Sequence, residues 1–152
     1  MKLTTGLSLF ILLLCASAKI YAEPPPPKTF PISAYDTMKF SVTKIEAQAG
    51  QKLTVELKNE GSIPKEVMGH NWVLLKAGTD VSAYQSAAMT AKAENYAPKA
   101  FADKVLAAIP LLGPKETGKV TFTVPTAPGN YPFLCSFPGH QQAGMSGVLV
   151  VK

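Results

Sequence analysis

The feature of this chain that most constrains its fold is a short segment near the C-terminus, residues 135–145, with the sequence CSFPGHQQAGM. It places a thiol, an imidazole and a thioether close together. A soft thiolate and a neutral imidazole bind copper strongly, and a methionine thioether can supply the weak axial bond of a blue copper site. Such a site needs one more equatorial nitrogen, and the chain has one other histidine, His70. The fold must therefore bring His70 to a loop that begins about 65 residues further along the chain.

The N-terminal residues 1–22 are predicted to be a secretory signal peptide, because a basic start runs into a short apolar stretch. That stretch is shorter than the roughly 20 residues of a transmembrane helix, so stable membrane insertion is not expected. Cleavage after Ala18 and cleavage after Ala22 both fit the pattern. Ala22 is slightly favoured because acidic, proline-rich sequence follows at once. Leu14 fits a lipoprotein processing site poorly, which disfavours lipidation of Cys15.

Cysteine use agrees with a metal-ligand role. Removal of the signal peptide takes away Cys15 and leaves Cys135 as the one cysteine of an exported chain, so no intramolecular disulfide can form. An unpaired thiol is a liability in an oxidising compartment unless something occupies it, and a metal ion is a natural occupant. An inert buried cysteine is the alternative. It is disfavoured because His140 and Met145 follow at ligand spacing.

The charge distribution argues against nucleic-acid binding. The formal net charge is +5, and it falls to +3 when residues 1–22 are removed, because they contain two lysines and no acid. All basic residues are lysines, and they are spread among acidic residues. A nucleic-acid-binding surface would instead show a clustered basic stripe. A diffuse lysine surface favours solubility or weak steering of an acidic partner.

Several short segments alternate apolar and polar residues, which is the pattern of half-buried β-strands. They are separated by proline and glycine turn residues and lie at residues 38–44, 53–57, 72–75, 120–124, 131–135 and 148–151. This arrangement predicts an all-β sandwich or barrel, in one domain over residues 35–152. Residues 23–34, which open with a run of prolines, are predicted to be an extended lead-in that packs little.

The stretch from residue 80 to residue 109 departs from the strand pattern. Its apolar residues recur at roughly helical spacing in an alanine-rich sequence, which predicts a flap of one or two helices inserted outside the sheet. These residues are Val81, Tyr84, Ala88, Phe101, Val105, Leu106 and Ile109. Asp80 is expected to cap the first helix, and Pro98 is expected to separate two helical pieces or to begin the second.

Residues 62–74 (SIPKEVMGHNWVL) and residues 135–140 (CSFPGH) resemble azurins, the small blue copper electron carriers of the bacterial periplasm. The resemblance extends from about residue 35 to the C-terminus. It implies a cupredoxin-like Greek-key β-sandwich, a periplasmic location, a monomer and one copper ion that cycles between Cu(I) and Cu(II). The five copper-contacting groups of the family would correspond to the Gly69 carbonyl, His70, Cys135, His140 and Met145.

Two features differ from azurins. Four residues separate His140 from Met145, whereas azurins usually have three, and the longer spacing resembles that of auracyanins and plastocyanins. The chain without its signal peptide also cannot form the N-terminal disulfide of azurins. The protein is therefore similar to an auracyanin built on an azurin framework.

These observations predict a one-electron carrier and not an enzyme. Oxidases and nitrite reductases with similar domains need a second copper with further histidines, and none remain once His70 and His140 are used. The alternative function is copper binding for delivery or storage. The partners expected of an electron carrier of this kind are redox protein donors and acceptors of the cytochrome or oxidase type.

The surroundings of the candidate ligands also carry expectations. His140 lies in a loop beside Phe137 and Pro138, whereas His70 begins an apolar segment, so His140 is expected to have its imidazole edge nearer solvent. Met68, Phe137 and Pro138 could form an apolar surface around that edge, although Met68 could equally be buried, and such a surface would suit the small, transient contacts of redox encounters. Asn71 is expected to hold the ligand loop by hydrogen bonds. Gly69 could instead serve only a turn, since glycine is the default residue for unusual backbone angles.

Overall fold

The structure of the protein is a computed structural model that describes residues 27–152. The predicted signal peptide lies outside the described residues, and so do Cys15 and both candidate cleavage positions. Within residues 27–152, no helix is long and apolar enough to cross a membrane.

Within the described residues, nine strands form the body of the fold. They are β1 (Lys28–Tyr35), β2 (Lys39–Phe40), β3 (Lys44–Ala47), β4 (Lys52–Asn59), β5 (His70–Leu75), β6 (Val105–Leu112), β7 (Thr117–Thr123), β8 (Gly129–Leu134) and β9 (Ser146–Val151). One sheet has the order β2-β1-β4-β7 and the other has the order β3-β9-β8-β5-β6. The predicted all-β sandwich is confirmed.

The core lies between the two sheets because alternate residues of the strands point inward. In β4, for example, Leu53, Val55 and Leu57 are fully buried while the residues between them are not. Trp72 from β5 packs on Phe133 from β8, with ring centroids 5.4 Å apart. Burying aromatic side chains of this size contributes a large share of the stability of such a core.

The predicted lead-in over residues 23–34 is wrong from Lys28 onward, and its residues 23–26 lie outside the described residues. Residues 28–34 belong to β1, which pairs in parallel with β4 along its whole length. On its other side, β1 meets β2 only at Ala34 and Tyr35. Pro31 therefore lies where the strand has one neighbour, a position at which a missing N–H costs no ladder hydrogen bond. The proline hid a strand that tertiary pairing stabilises.

The predicted strand over residues 38–44 is also wrong as a single element. The chain crosses between the sheets here, since β2 belongs to the first sheet and β3 to the second. Backbone bonds mark the crossing: the Ser41 N–H donates to the Ser33 carbonyl, and the Thr43 carbonyl accepts from the Val148 N–H.

The helical insertion is present but ends earlier than predicted. It contains helix α2 (Val81–Thr90), a short 3-10 turn (Lys92–Glu94) and a second 3-10 segment (Lys99–Lys104). The Asp80 carboxylate accepts a hydrogen bond from the Ala83 N–H at 3.0 Å, so the predicted cap is confirmed. Pro98 directly precedes the second 3-10 segment as its N-cap residue and separates it from the first, as expected. A one-turn helix, α1 (Lys65–Met68), lies just before β5.

Residues 105–109, assigned to helix from their spacing, instead belong to strand β6. This strand pairs antiparallel with β5, and Ala107 and Ile109 point into the core. The apparent helical spacing of Phe101, Val105 and Ile109 arose because the series runs across the boundary between a helical segment and a strand.

Candidate metal centre

The topology brings the two distant ligand segments to one end of the second sheet. Strands β5 and β8 are antiparallel neighbours, with Val73 opposite Leu134. The first residue of β5, His70, therefore lies at the same end as Cys135, which directly follows β8. The loop from β8 to β9 then carries the remaining two candidates, His140 and Met145.

Three candidate ligand side chains converge within one small volume. The ligand atoms of His70, Cys135 and His140 all lie within 4.8 Å of one another. Cys135 Sγ is 3.4 Å from His140 Nδ1, and the two imidazole ring centroids are 5.0 Å apart. Together with Met145, these residues form an arrangement like that of a type 1 copper site.

The ligand loop is closed on itself by backbone hydrogen bonds. The Cys135 N–H donates to the Met145 carbonyl at 3.0 Å, and the Met145 N–H donates to the His140 carbonyl at 2.9 Å. The His140 N–H in turn donates to the Phe137 carbonyl at 3.1 Å. Gly139 has φ +83°, a left-handed conformation that favours glycine at this turn. The loop thus holds three candidate ligands in a fixed relation.

Burial distinguishes the two histidines only slightly. His70 is 0% exposed and His140 is 2% exposed, so His140 is nearer solvent, as expected, by only a very small margin in exposed fraction. The expected exposure of Phe137 is wrong. Its ring is buried between His140, at 4.7 Å, and Tyr96, at 4.9 Å between centroids. Pro138 remains partly exposed.

Burial also sets the protonation of the candidate ligands. It lowers the pKa of both His70 and His140 to about 4. The Asp36 carboxylate acts in the opposite direction on the pKa of His70, but its effect is smaller than that of burial. Burial raises the pKa of the Cys135 thiol to about 12. At neutral pH and without a cation, the site therefore holds two neutral imidazoles and a thiol, because low-dielectric surroundings disfavour charged forms.

The donor set fits a copper ion. Both ring nitrogens of His70 are buried and find no hydrogen-bond partner among residues 27–152. Buried polar atoms normally have partners, and a bound metal ion would supply a partner for one of these two nitrogens. Two imidazoles, one thiolate and a nearby thioether form the donor set that suits copper in a trigonal site.

A buried polar cluster supports the loop from the side of β5. Asn71 donates from Nδ2 to Ser136 Oγ at 2.7 Å and accepts the Ser136 backbone N–H at Oδ1, also at 2.7 Å. The Ser136 hydroxyl donates to the Tyr96 carbonyl at 2.6 Å. The structure thus places Asn71 as the sequence predicted.

Sequence reasoning missed three members of this support, which are Ser136, Tyr96 and Gln85. Gln85 donates from α2 to the carbonyls of Ser136 and Phe137. One sequence signal could have found it. Gln85 is polar, yet it lies four residues after Val81 on the face of α2 that also carries Tyr84 and Ala88.

Gly69 precedes His70 and packs tightly. Its φ is −65°, so the backbone conformation itself does not require glycine. A Cβ atom at this position would instead lie 2.6 Å from the Lys65 carbonyl oxygen and 2.9 Å from Leu111 Cγ. Glycine is therefore needed for close packing, and the turn that we considered for Gly69 is not the reason for it.

Comparison with known proteins agrees with this geometry. Residues 31–152 match the family described as copper binding proteins, plastocyanin/azurin family. The chain belongs to this family. Azurin from Bordetella pertussis is 41% identical over 121 residues, which cover 78% of this chain and 79% of that protein. Auracyanin-B from Chloroflexus aurantiacus is 35% identical over 120 residues, covering 78% of this chain and 49% of that protein.

Solved structures of the same family superpose closely. Auracyanin A, described as a "blue" copper protein from Chloroflexus aurantiacus, has a TM-score of 0.74 and 35% identity, and the match covers 84% of this chain and all of that one. Reduced auracyanin from Roseiflexus castenholzii has a TM-score of 0.73 and 32% identity, with coverage of 84% and 99%. This plastocyanin/azurin family member is a blue copper electron carrier, and its cofactor is one copper ion.

Proposed function

We propose that the protein is a periplasmic one-electron carrier whose copper ion is held by His70, Cys135, His140 and Met145, with the Gly69 carbonyl as a fifth contact. The observation that carries this proposal is the convergence of two buried imidazoles and a buried thiol within 4.8 Å. Met145 is fully buried in the same loop. Gly69 is included because its carbonyl directly precedes His70 in the chain.

When bound, copper supplies the one-electron couple between Cu(I) and Cu(II), and every other requirement falls on the chain. Electron transfer is faster when the ligands move little between oxidation states. Here His70 is part of a strand paired on both sides, and Cys135 is bonded by its backbone to Met145. Burial of the ligand side chains excludes water. The residues thus supply a rigid, dry site.

The absence of catalysis is also part of the proposal. Both histidines of the chain lie in the same site, so no imidazole is left to hold a second metal. Copper enzymes that process oxygen or nitrite need such further ligands and an open position for substrate. The protein accordingly acts as a monomeric carrier between redox proteins of the cytochrome or oxidase type.

We further propose that the surface beside His70 is where partners dock. Val67 in α1 is 61% exposed, although it is three residues before a ligand. Met68 and Pro138 are partly exposed on the same two segments that carry His70 and His140. Phe137, which we expected in this surface, is buried. A small apolar area without buried charges suits a brief contact of low area.

The periplasmic location is proposed from the sequence of the N-terminal residues. Residues 1–22 carry the basic start, apolar stretch and small-residue cleavage pattern of an exported chain, and either Ala18 or Ala22 would be the last residue removed. We place the start of the copper domain at Lys28, where β1 begins. Mass spectrometry of the protein purified from periplasm would identify the cleaved bond, and protein retained in the cytoplasm would contradict export.

The decisive experiment adds Cu(II) to the purified protein and records visible and EPR spectra, followed by voltammetry. An intense thiolate-to-copper band, narrow copper hyperfine splitting and a reversible couple are expected. Cys135→Ser should abolish the band while the circular dichroism of the sandwich is unchanged. A retained band would overturn the ligand assignment. Copper that exchanges readily with no reversible couple would favour delivery or storage instead.

The docking surface has a matched test. Val67→Asp places a charge beside the site, whereas Asn130→Asp places the same charge at the exposed start of β8, at the other end of the sheet. Electron self-exchange should slow in Val67→Asp alone, with the copper spectrum of both variants unchanged. Equal self-exchange rates in the two variants would show that partners approach elsewhere.

A further inference from the structure

Helix α2 reaches the ligand loop through one buried side chain, that of Gln85. Its Nε2 donates to the peptide carbonyls of Ser136 and Phe137, at 3.3 and 3.4 Å. These carbonyls belong to the peptide groups that join Ser136 to Phe137 and Phe137 to Pro138, the second and third after the Cys135 Cα. Gln85 is 1% exposed, so these bonds are shielded from solvent in the folded protein.

Gln85 is the polar exception on the buried face of α2. The other buried residues of the helix are Tyr84 and Ala88, which pack in an apolar cluster with Leu134. Burying a primary amide costs free energy unless it is hydrogen-bonded, and here Nε2 binds the loop while Oε1 finds no partner among residues 27–152. An apolar side chain at position 85 would cover the sheet without that cost. The contact with the loop, and not coverage of the sheet, therefore explains an amide at this position.

We propose that Gln85 is a positioning residue for the copper site, holding in place the backbone that carries the Cys135 thiolate. The inference rests on the proposed copper site. It assigns a role to the helical insertion, which otherwise only covers one face of the sheet.

The backbone of Ser136 is held from two sides. Asn71 on β5 binds its N–H and its hydroxyl, and Gln85 on the insertion binds its carbonyl. Because Ser136 follows Cys135 directly, turning the thiolate out of the site would rotate the two peptide groups on either side of the Ser136 Cα, the first of which is fixed at its N–H and the second at its carbonyl. The bonds from Gln85 thus restrict the motion that would release the ion.

The test compares two variants of the same helix. Gln85→Leu keeps a buried side chain of similar volume and removes the donors. Asp80→Ala removes the N-cap bond to the Ala83 N–H at 3.0 Å, which weakens α2 without touching the loop. If Gln85 only fills space, loss of its contact should affect the loop no more than the cap variant does.

The first measurement is amide hydrogen exchange of Ser136 in the copper-free protein. Exchange should be about five-fold faster in Gln85→Leu than in wild type, the factor that corresponds to one net hydrogen bond of about 1 kcal/mol. It should be unchanged in Asp80→Ala. The second measurement is release of Cu(I) to a chelator, which should speed up by a similar factor in Gln85→Leu alone, with a shift of the thiolate-to-copper band.

Equal exchange of Ser136 in wild type and Gln85→Leu, or equal acceleration in both variants, would overturn the proposal. If Gln85→Leu does not fold, Gln85→Met, which keeps the unbranched shape, gives the same comparison. The proposed function fails separately. A wild-type protein without a blue band would refute the copper site, while the exchange data would still decide whether Gln85 holds the loop.

Discussion

The strongest structural prediction concerns Asn71, the buried side chain that joins β5 to the ligand loop. In Asn71→Ala, the Ser136 N–H and the Ser136 hydroxyl each lose a partner at 2.7 Å. A typical net hydrogen bond contributes about 1 kcal/mol, and a buried donor left without a partner costs about 1 to 3 kcal/mol. Because the Ser136 hydroxyl keeps its bond to the Tyr96 carbonyl, only the N–H is orphaned. We expect a loss of about 2 to 4 kcal/mol in the free energy of unfolding.

Urea unfolding of the copper-free protein measures this loss as a lower midpoint at an unchanged m-value. Asn130→Ala, at an exposed position on β8, is the matched control and should change the free energy of unfolding by less than about 0.5 kcal/mol. Copper binding should also be weaker in Asn71→Ala than in the wild-type protein, and it should be unchanged in Asn130→Ala.

A double-mutant cycle with Ser136→Ala separates this contact from general packing. Ser136→Ala removes the hydroxyl and keeps the backbone N–H, so the two substitutions share one hydrogen bond and not the other. We expect a coupling of about 1 kcal/mol between them. Strict additivity, or a cost of less than about 1 kcal/mol for Asn71→Ala alone, would refute the reasoning that this amide holds the loop.

Four further predictions concern the site and its packing. Met145→Leu should retain copper and raise the reduction potential, because a weak soft ligand is replaced by apolar surface; voltammetry measures the shift, and loss of copper would show that Met145 is a structural ligand. Cu(II) binding at pH 7 should release about one proton per ion, because the thiol pKa of about 12 and the histidine pKa values of about 4 leave only Cys135 to deprotonate. Calorimetry in buffers of different ionisation enthalpy would count the released protons. The same lowered histidine pKa values mean that the unfolded chain binds protons that the copper-free fold does not, so the fold should lose stability as pH falls from about 6.5 to about 4; a flat denaturation midpoint across that range would contradict this. Gly147→Ala should destabilise the protein by about 1 to 3 kcal/mol in thermal unfolding, because the new Cβ would lie 2.3 Å from Phe133 Cζ and 2.4 Å from the Thr43 carbonyl oxygen; a melting temperature equal to wild type would show that β9 can shift.

The candidate ligands could be predicted from sequence because most of them lie in one short segment of the chain. Cys135, His140 and Met145 are close along the chain, and a second histidine is scarce enough to identify itself. The alternating strands were likewise readable, since burial of one face of a sheet imposes a period of two.

The errors share a different cause. Strand β1 was missed because its pairing with β4 outweighs the local effect of Pro31. Strand β6 was misread because Val105 and Ile109 continue a spacing that begins in a helical segment. Gln85 was missed because the direction of a polar helix residue depends on how the whole insertion packs. In each case the deciding interaction is distant in sequence.

The strand directions place both ends of the described chain far from the copper-binding loop. Strand β9 starts beside the loop at Ser146 and runs antiparallel to β8, so Lys152 lies about one strand length, roughly 20 Å, from Cys135. Strand β4 ends near the copper site, because its last residue, Asn59, donates a hydrogen bond to the Leu112 carbonyl, and Leu112 lies opposite His70. Strand β1 runs parallel to β4, so its first residue, Lys28, lies at the far end as well. A linker attached at Lys152 or ahead of Lys28 would therefore anchor the molecule at the end opposite to the copper site. Immobilised that way on an electrode or fused to a carrier, the protein would present its redox end outward to whatever approaches.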